Sequence, residues 1–460
     1  MEKKQYTQRF LARMVIEAKT PLAVGSGEKD ILTDALVATD VNGLPYIPGT
    51  AIAGVVRHMI GKEQTKPFFG YQDKNDSEGS KIIFTEAKIL NSEGKVIDGM
   101  DPDAIKSDPL LQNYTKLPIR QHVRIYDRGA TDKTGKFDEQ VVFAGTRFCF
   151  EMEMVAAKDD DLCNFELALK QLQNKAFRIG GGTRCGFGEI EVKHLYRRQL
   201  DLTNEKDLDL YLRKPSKLSE SWTGWIEEEK EPCGAEGWTL YQLTLTPEDF
   251  FLFGSGFGDD EADMIPVKEK RVLWDDEKGR GEMSDDLVLI PATSVKGALA
   301  HRTAYHWNRL HHYYAGDERA KVGKDNPAVA ELFGSEGEKV GNEMINQKRG
   351  NLIFSDVIEK SCADKILNHV SIDRFTGGTK EGALFSEKTT YGQGQPFVLS
   401  ILANTKALEK DQVIREAFEN ALEDLRMGML PLGGGVNRGN GVFTGTLEIY
   451  PNDNRKGDAK

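Results

Sequence analysis

The same series of short motifs occurs twice in this chain, in one order and about half a chain length apart. Five matched blocks in one order are not expected by chance, and a repeat of this length indicates a duplicated domain instead of a solenoid. The separation between partners grows from 229 residues (25 to 254) to 243 residues (47 to 290), which places an insertion of 14 residues between those blocks in the second copy. The matched pairs are GSG at 25–27 and 254–256, IPGTAIAGVVRH at 47–58 and IPATSVKGALAH at 290–301, FFG at 68–70 with IIFTEAKI at 82–89 and LFG at 332–334 with LIFSDVIE at 352–359, HVRIYDR at 122–128 and HVSIDR at 369–374, and GGGTRCGFGEIEV at 180–192 and GGGVNRGNGVFTG at 433–445.

Length and composition describe two globular domains of ordinary size. At 460 residues, with 39% hydrophobic and 29% charged residues, the chain holds two units of roughly 200 residues, and each is large enough to bury its own core. An acidic, turn-rich stretch at 219–238 separates them. We therefore predict a first domain over 1–200, an acidic linker over 201–237, a second domain over 238–450 and a polar tail over 451–460.

Charge and cysteine content narrow the class of protein. The net charge of −12 argues against a protein that coats nucleic acid indiscriminately, but it leaves room for a basic groove on an acidic body. No apolar run is long enough to cross a bilayer and no signal peptide follows the start MEKKQYTQRF, so we predict a cytoplasmic protein with no membrane partner. The cysteines form no CxxC pair and indicate neither a disulfide framework nor a zinc site; they are Cys149, Cys163, Cys185, Cys233 and Cys362.

Each copy alternates strands and helices in the same order. A strand is followed by a helix, further strands, a second helix and, after a glycine-rich loop, a last strand. This is the order of the ferredoxin-like split βαβ fold, which is also the fold of the RNA-recognition sheet, so we predict an α+β protein of two tandem ferredoxin-like domains. A threonine near each first helix start, Thr50 or Thr293, is placed to cap it. The predicted elements are strands at 10–18, 82–84 and 141–155 with helices after Pro48 and at 161–176 in the first copy, and strands at 239–248, 352–354 and 396–403 with helices after Pro291 and at 411–428 in the second.

The combined motifs resemble one family over nearly the whole chain outside the linker and the tail. The series GSG, IPGT, LFG, FSD, HV.IDR.TGG and GGG..RG.G is similar to that of the RAMP superfamily of CRISPR proteins. It resembles in particular the Cas-seven-type backbone subunits of type III effector complexes, here as a tandem fusion of two domains like that of the type III-D branch. The resemblance implies that each domain holds a stretch of guide RNA on its sheet and glycine loop, that a thumb hairpin flips a nucleotide at regular intervals, and that an aspartate after the first strand cleaves target RNA.

Glycine-rich and basic positions supply the predicted contacts to the RNA backbone. Three successive glycines let N–H groups approach a phosphate, with Arg184 and Arg438 near the two loops at matching places; a tight turn that needs positive φ is the alternative. The helix starts at IPGT and IPAT also favour a phosphate. The resemblance places a basic residue at Lys296, where the first copy has Ala53, with Arg57 one turn further on. The predicted RNA-binding residues are Thr50, Arg57, Arg124, Arg128, Gly180, Gly181, Gly182, Arg184, Thr293, Ser294, Lys296, Arg374, Gly433, Gly434, Gly435 and Arg438.

Two extended loops are predicted to be the thumbs. HVRIYDR and HVSIDR introduce them, at about 124–143 and 371–391, and RFTGG at 374–378 is typical of a flexible loop tip. The arginines of these loops are placed to bind phosphates. The alternative is an exposed pair of neighbouring Asp and Arg side chains, such as Asp373 with Arg374, which contributes little to stability.

Acidic residues in the loops after GSG are the predicted catalytic groups. The resemblance places the key acid at Asp34 in the first copy and at Asp263 in the second, where Asp259 and Asp260 are nearby competitors. Because an aspartate is a weak base at neutral pH, we expect a divalent metal, Mg²⁺ or Mn²⁺, as cofactor. The sequence does not identify the ligands of this metal, and Asp34 and Asp263 are the candidates. A solvated acidic loop is the alternative.

Histidines offer a second route to RNA cleavage. His122 and His369 begin the two thumb motifs, and an imidazole is suited to deprotonate a 2′-OH near neutral pH. His58 and His301 also coincide in the two copies, but a lone helical histidine is more often a hydrogen-bonded core residue.

Together these patterns predict a backbone subunit that binds guide RNA and cuts complementary target RNA in a metal-dependent reaction. Its expected partners are the guide (CRISPR) RNA, target single-stranded RNA and other CRISPR effector subunits. One alternative is an endoribonuclease of the same superfamily that processes precursor guide RNA through His122 or His369. The other is a scaffold that holds RNA without cutting it.

Overall fold

Two similar halves follow one another along the chain. The computed structural model describes residues 5–31, 33–73, 76–125, 131–157, 162–229, 234–335, 337–340, 343–345, 347–359, 363–392 and 394–451. Within this part of the chain, no helix is long and apolar enough to span a membrane.

The first half contains a mainly antiparallel sheet, two principal helices and a separate hairpin. Its elements in chain order are β1 (Gln8–Ala18), α1 (Gly49–Ile60), α2 (Lys62–Phe69), β2 (Tyr71–Gln72), β3 (Ser77–Glu78), β4 (Ile82–Phe84), β5 (Lys88–Ile89), α3 (Pro102–Ser107), α4 (Pro109–Asn113), β6 (Ile119–Ile125), β7 (Thr131–Gln140), β8 (Arg147–Ala156), α5 (Leu162–Gln173), β9 (Ile190–Asp201), α6 (Glu205–Leu212) and β10 (Ile226–Glu228).

The second half repeats this plan with additional short strands. Its elements are β11 (Trp238–Pro247), β12 (Phe250–Phe251), β13 (Lys268–Glu269), β14 (Val272–Asp275), β15 (Arg280–Met283), β16 (Leu287–Ile290), α7 (Ala292–Leu310), a 3₁₀ turn (Gly323–Asp325), α8 (Pro327–Leu332), β17 (Gly334–Ser335), β18 (Glu338–Val340), β19 (Glu343–Ile345), β20 (Lys348–Arg349), β21 (Leu352–Phe354), β22 (Val357–Glu359), β23 (Asp364–His369), β24 (Phe385–Tyr391), β25 (Phe397–Asn404), α9 (Thr405–Lys410), α10 (Gln412–Arg426), a second 3₁₀ turn (Val436–Arg438) and β26 (Phe443–Tyr450).

The strand order of both sheets confirms the predicted α+β, ferredoxin-like fold. In the first half the central order is β9-β1-β8-β4, and in the second it is β26-β11-β25-β21. Both correspond to last, first, third and second strand, and every one of these neighbours is antiparallel. The helices α1 and α5, and likewise α7 and α10, lie between the strands in the sequence, as this fold requires.

Each half has its own apolar core between its sheet and its helices. Phe10 on β1 packs against Phe165 on α5 with ring centroids 5.7 Å apart, and Tyr241 on β11 packs against Phe418 on α10 at 5.4 Å. Phe165 and Phe418 are fully buried, and burial of such a side chain stabilises the fold by about 1.5–3 kcal/mol. The two cores explain why each copy can fold around its own sheet.

Two local predictions are wrong. The strand predicted over 141–155 begins only at Arg147, because the chain turns at Gly145, whose φ is 82° and whose Cβ would meet the Val272 carbonyl oxygen at 2.0 Å. Thr50 and Thr293 do not cap their helices, because both lie inside the first turn; Pro48 and Pro291 are the N-cap residues, without a side-chain cap.

The segment predicted as a linker, 201–237, is packed against the first half where it is described. Trp222 lies in one apolar cluster with Leu11 and Leu200, on the outer face of the first sheet. The Lys214 ammonium binds the Glu151 carboxylate on the same face, and β10 pairs with β9. The described part of this segment therefore covers part of this face of the first sheet.

A buried ion cluster joins the two halves. Arg120 on β6 donates to both carboxylate oxygens of Glu269 and, at 2.8 Å, to Oδ2 of Asp356. The other Asp356 oxygen, Oδ1, accepts the Ala292 N–H at the start of α7 at 2.8 Å. The three charged side chains are almost completely buried, so each depends on the others to offset its desolvation.

The predicted 14-residue insertion corresponds to the hairpin β14–β15. The Val267 N–H donates to the Phe253 carbonyl just as the Ala38 N–H donates to that of Val24, so the two copies are still in step at Val267 and the extra residues come later. The hairpin packs on the first half, where the indole N–H of Trp274 donates to the Gly145 carbonyl at 2.7 Å. The insertion therefore strengthens the junction and leaves the Asp263 loop unchanged in length.

Candidate nucleic-acid interface

A basic cleft of about 1180 Å³ lies between the two halves. The hairpin β6–β7 and the glycine loop of the first half line one side, and α7 with the segments around α8 and β20 lines the other. In the described part of the chain, no aspartate or glutamate lines this cleft. Such a surface attracts a polyanion despite the negative net charge. Its cationic residues come from both halves and are Arg124, Arg184, Lys296, Lys324, Lys348 and Arg349.

Arg184 is a desolvated cation in this cleft. Burial, together with the neighbouring Arg349 and Arg178, lowers its pKa to about 9. No carboxylate of the described residues forms an ion pair with it, its buried Nε has no hydrogen-bond partner, and its guanidinium stacks over the Trp238 ring at 5.2 Å. Because arginine stays protonated at neutral pH, the site holds a positive charge that an incoming phosphate would stabilise.

The start of α7 supplies the opposite wall. Thr293 and Lys296 line the cleft, and the Lys296 ammonium lies 3.5 Å from the Cys185 Sγ of the first half. Ser294 is exposed on the same first turn. Lys296 of the second copy and Arg184 of the first copy, both predicted to bind RNA, therefore line the same cleft. Thr50 is exposed and Arg57 donates to the Gly70 carbonyl at 3.3 Å; both lie on α1, outside this cleft.

The glycine loops are tight turns that require glycine for backbone reasons. Gly180 and Gly433 both have a φ of 89°, and a Cβ on either would lie 2.5–2.6 Å from a carbonyl oxygen. The middle glycines, Gly181 and Gly434, donate their N–H groups at 2.7 Å to carbonyl groups of the segment after the first strand. Gly182 and Gly435 also have positive φ. These features match the turn interpretation, and the middle N–H of each loop is already bonded within the protein.

The two loop arginines do not occupy matching places, contrary to the prediction from the sequence. The Arg438 N–H donates to the Gly435 carbonyl, as the Cys185 N–H donates to that of Gly182, so Arg438 is the counterpart of Cys185. The counterpart of Arg184 is Asn437. The Arg438 guanidinium binds the fully buried Glu387 and lies over the Phe385 ring at 5.5 Å, outside the cleft. The two arginines therefore differ by one position in the repeat. Arg184 has no carboxylate partner among the described residues, whereas Arg438 is paired with Glu387.

Asp34 and Asp263 occupy equivalent positions. The Asp34 carboxylate accepts the Asp138 N–H of β7 at 3.0 Å, and the Asp263 carboxylate accepts the Ser386 N–H of β24 at 2.7 Å. In both copies the next residue forms a parallel bridge with the same strand. Both aspartates are exposed, and the Ser386 hydrogen bonds lower the pKa of Asp263 below its usual value. Each carboxylate is thus anchored at the base of a hairpin with access to solvent.

The competitors of Asp263 have other surroundings. Asp259 accepts the N–H groups of Glu261 and Ala262 and binds the Lys388 ammonium at 2.8 Å. These contacts, the Lys388 bond first, lower its pKa to about 2. Asp260 is exposed, and the described residues give it no counterpart of the Ser386 contact. The Asp259 carboxylate therefore stabilises its own turn and forms an ion pair with Lys388.

The donor set at each aspartate fits a metal ion only together with RNA. Within the described residues, no three His, Cys, Asp or Glu side chains cluster as metal ligands. Asp34 and Asp263 each offer one exposed carboxylate, and Mg²⁺ is commonly held by one or two carboxylates plus substrate phosphates and water. The protein would supply the carboxylate at each site, and the RNA the remaining oxygens.

His122 and His369 lie at the same hairpin bases, in an arrangement that the motifs did not reveal. The His122 Nε2 lies 2.9 Å from Oε1 of Glu139, and the His369 Nε2 lies 3.0 Å from Oε1 of Glu387, both off the line of a hydrogen bond. Each imidazole also stacks on a phenylalanine two residues before that glutamate, at 4.7 and 4.9 Å. The signal for this repeat is FDE at 137–139 and FSE at 385–387.

The predicted thumbs are hairpins. In the first half β6 and β7 pair with each other, and Arg124 lines the cleft; Arg128 lies outside the described residues. In the second half β23 and β24 support the excursion 370–384, whose tip is a turn built on the Asp373 carboxylate, which accepts the N–H groups of Phe375 and Thr376. Asp373 therefore caps this turn, forms no ion pair with Arg374 and leaves that arginine exposed.

Three cleft cations were not predicted. Lys324, Lys348 and Arg349 belong to segments of the second copy between the IPAT and LIF motifs, where the copies differ in length. The adjacent Lys348 and Arg349 just before LIF are the available signal, but a charged pair before a strand is more often a solvated turn.

Both halves of the chain match one protein family. A family model described as the RAMP superfamily matches residues 15–191 and 279–444, more than half of the chain. The first region runs from β1 into β9, and the second from β15 to β26. No curated protein matches the chain. The repeated strand order, the paired glycine loops and the two matched regions agree, and the chain belongs to the RAMP superfamily.

Proposed function

We propose that the chain is a Cas-seven-type backbone subunit of a type III CRISPR effector complex, built as a tandem fusion, that binds guide RNA and cleaves complementary target RNA. The cleft between the halves carries this proposal, because it gathers cations from both copies and no carboxylate among its described residues. Membership of the RAMP superfamily supports CRISPR-associated RNA binding. The phosphates of the guide are the ligand that this charge pattern fits.

The cleavage step is assigned to Asp34 and Asp263. Each carboxylate is held at a hairpin base by one backbone N–H, so it would present a fixed anion to RNA distorted by the hairpin. A bound divalent ion would lower the pKa of the attacking 2′-OH and stabilise charge on the phosphate. The 2′-OH would lose its proton to water and the 2′-oxygen would bond to the adjacent phosphorus as the 5′-oxygen leaves. The 5′-oxygen would take a proton from water, which gives a cyclic phosphate and a 5′-hydroxyl.

Several of the other predicted contacts do not line this cleft. Thr50 and Arg57 on α1 are the counterparts of α7 residues that line the cleft, and Arg374 and Gly433–Gly435 are counterparts of the first hairpin and loop. A neighbouring RAMP subunit would form a similar cleft with either set. Other effector subunits are therefore the expected protein partners.

Mapping of target cleavage tests this function. We expect the assembled complex to cut end-labelled target RNA at two places, with Asp34→Ala removing one product and Asp263→Ala the other. The double variant should lose both products and still bind guide RNA, because the two sites act locally. Chelation of divalent ions should abolish both cuts together.

Asp259→Asn is the matched control for the second site. Asp259 lies in the same loop as Asp263 but is occupied by Lys388, so its amide variant should cut as the parent does. Undiminished cutting by the double variant Asp34→Ala, Asp263→Ala would overturn the assignment.

The histidine route is the second candidate, because His122 and His369 lie at the same hairpin bases as the aspartates. It predicts metal-independent cutting of a precursor hairpin RNA that His122→Ala or His369→Ala abolishes. A chain that binds RNA and cuts neither substrate would be a scaffold.

A further inference from the structure

The first helix of the second copy is much longer than its counterpart. Helix α1 has 12 residues, whereas α7 has 19. The separation between matched motifs also grows, from 243 residues (47 to 290) to 264 residues (68 to 332), so 21 residues of the second copy have no counterpart. These residues extend α7 and form the segment that leads to α8. They are particular to one copy, and the α7 extension also contributes Trp307 to the core of the second half.

The extended part of α7 continues one wall of the basic cleft. Thr293, Gly297 and His301 line the cleft and follow one another at intervals of four residues. Tyr305 is the next residue of this row, about 6 Å beyond His301 along the helix, and its side chain is 52% exposed. The cleft surface therefore leads directly to an exposed aromatic ring.

The added segment is fixed to the same helix. Asn308 on α7 donates to the Lys321 carbonyl at 2.8 Å and accepts the Lys321 N–H at 3.0 Å. The next residues, Val322 to Lys324, line the cleft. Hydrogen bonds therefore join the added segment, which lines the cleft, to helix α7, which bears Tyr305.

The Tyr305 ring packs against the guanidinium of Arg302. The Arg302 guanidinium lies 4.8 Å from the ring centroid and also binds the buried carboxylate of Asp424. The same carboxylate is 2.7 Å from Nε2 of His306. Because one ring face rests on an anchored arginine, the exposed surface of the ring is a preorganised platform for a flat, electron-rich group.

We propose that Tyr305 stacks an unpaired base of the RNA strand where that strand leaves the cleft. This inference rests on the proposed RNA binding and adds a nucleotide site that only the second copy has. Stacking of a base on an aromatic side chain is worth about 1–3 kcal/mol and tolerates every base. The phosphates on either side would remain near the cationic wall formed by α7 and Lys324.

Binding of fluorescent oligouridines to the full chain tests the proposal, with lengths from about 4 to about 16 nucleotides, the range of single-strand site sizes. Tyr305→Ala should weaken binding of the long oligomers by about 5- to 150-fold, which corresponds to about 1–3 kcal/mol, and leave the shortest ones unchanged. Tyr305→Phe keeps the ring and should bind as the parent does. Tyr314→Ala is the matched control, because Tyr314 is 65% exposed in the same added segment and has no stacked arginine among the described residues.

The outcomes separate this inference from the proposed function. If Tyr305→Ala binds all lengths as the parent does while Arg184→Ala weakens them, the stacking site is wrong and the RNA cleft stands. An equal loss at every length, or the same loss in Tyr305→Phe, also overturns the stacking site. If Arg184→Ala binds every length as the parent does, the cleft itself is wrong, and the stacking site falls with it.

Discussion

Arg184 and Arg438 illustrate how strongly the role of an arginine depends on its neighbours. Both follow three glycines in the sequence. Arg184 lies in the cleft without a carboxylate partner among the described residues, whereas Arg438 binds Glu387 and supports a hairpin base. The first has charge available for a ligand, and the second uses its charge within the fold.

Alanine substitutions should therefore separate the two arginines. Arg184→Ala should weaken binding of all guide sequences about equally and lower the salt slope by roughly 1, the value of one lost phosphate contact. Arg438→Ala should instead lower the free energy of unfolding by about 1–3 kcal/mol, because the buried Glu387 loses a donor, and leave the slope unchanged. Fluorescence anisotropy at several salt concentrations and urea unfolding measure these effects. Equal slope changes in both variants would contradict this assignment.

The equivalence of Asp263 with Asp34 was predictable from spacing alone. Each lies nine residues after the first glycine of GSG, and no insertion intervenes. The pairing of Asp259 with Lys388 was not predictable, because Lys388 lies on a strand more than a hundred residues later. Sequence spacing identifies positions along one loop, but it does not show which distant side chain occupies a carboxylate.

At the scale of elements, the repeated pattern predicted the sheets and the main helices. Strands with alternating apolar residues, such as β1 and β11, bury one face against helices, so their periodicity is visible in the sequence. The linker was harder to interpret, because its acidic composition is typical of solvent exposure. Its Trp222 and Lys214 nevertheless pack on the first sheet, through contacts that depend on tertiary structure.

The hairpin β14–β15 should stabilise the junction more than its sequence suggests. Trp274 donates to the Gly145 carbonyl and its ring lies 4.4 Å from the Arg147 guanidinium. Trp274→Ala removes this packing and should lower the free energy of unfolding by about 2–4 kcal/mol, less than for a fully buried tryptophan. Leu273→Ala, on the more exposed neighbouring residue, should change it by less than about 1 kcal/mol. Urea unfolding followed by tryptophan fluorescence tests the difference, and equal effects would contradict the role of the hairpin.

At the scale of the whole molecule, the two halves act as one body through the buried ion cluster. Arg120→Ala would leave Glu269 and Asp356 buried without their cation, a change that typically costs about 3–5 kcal/mol. We expect one unfolding transition in the parent and two in this variant, because each half keeps its own core. Calorimetry distinguishes these results. A single unshifted transition in Arg120→Ala would show that the cluster does not couple the halves.

Thiol labelling tests the central claim, that RNA occupies the cleft between the halves. Cys185 lines the cleft beside Lys296, whereas Cys163 is exposed on α5 and is not one of the cleft-lining residues. Iodoacetamide modification of both thiols is followed by mass spectrometry, with and without saturating guide RNA. The account predicts that RNA slows modification of Cys185 and leaves that of Cys163 unchanged. Equal modification of Cys185 in the free and RNA-bound protein would contradict it.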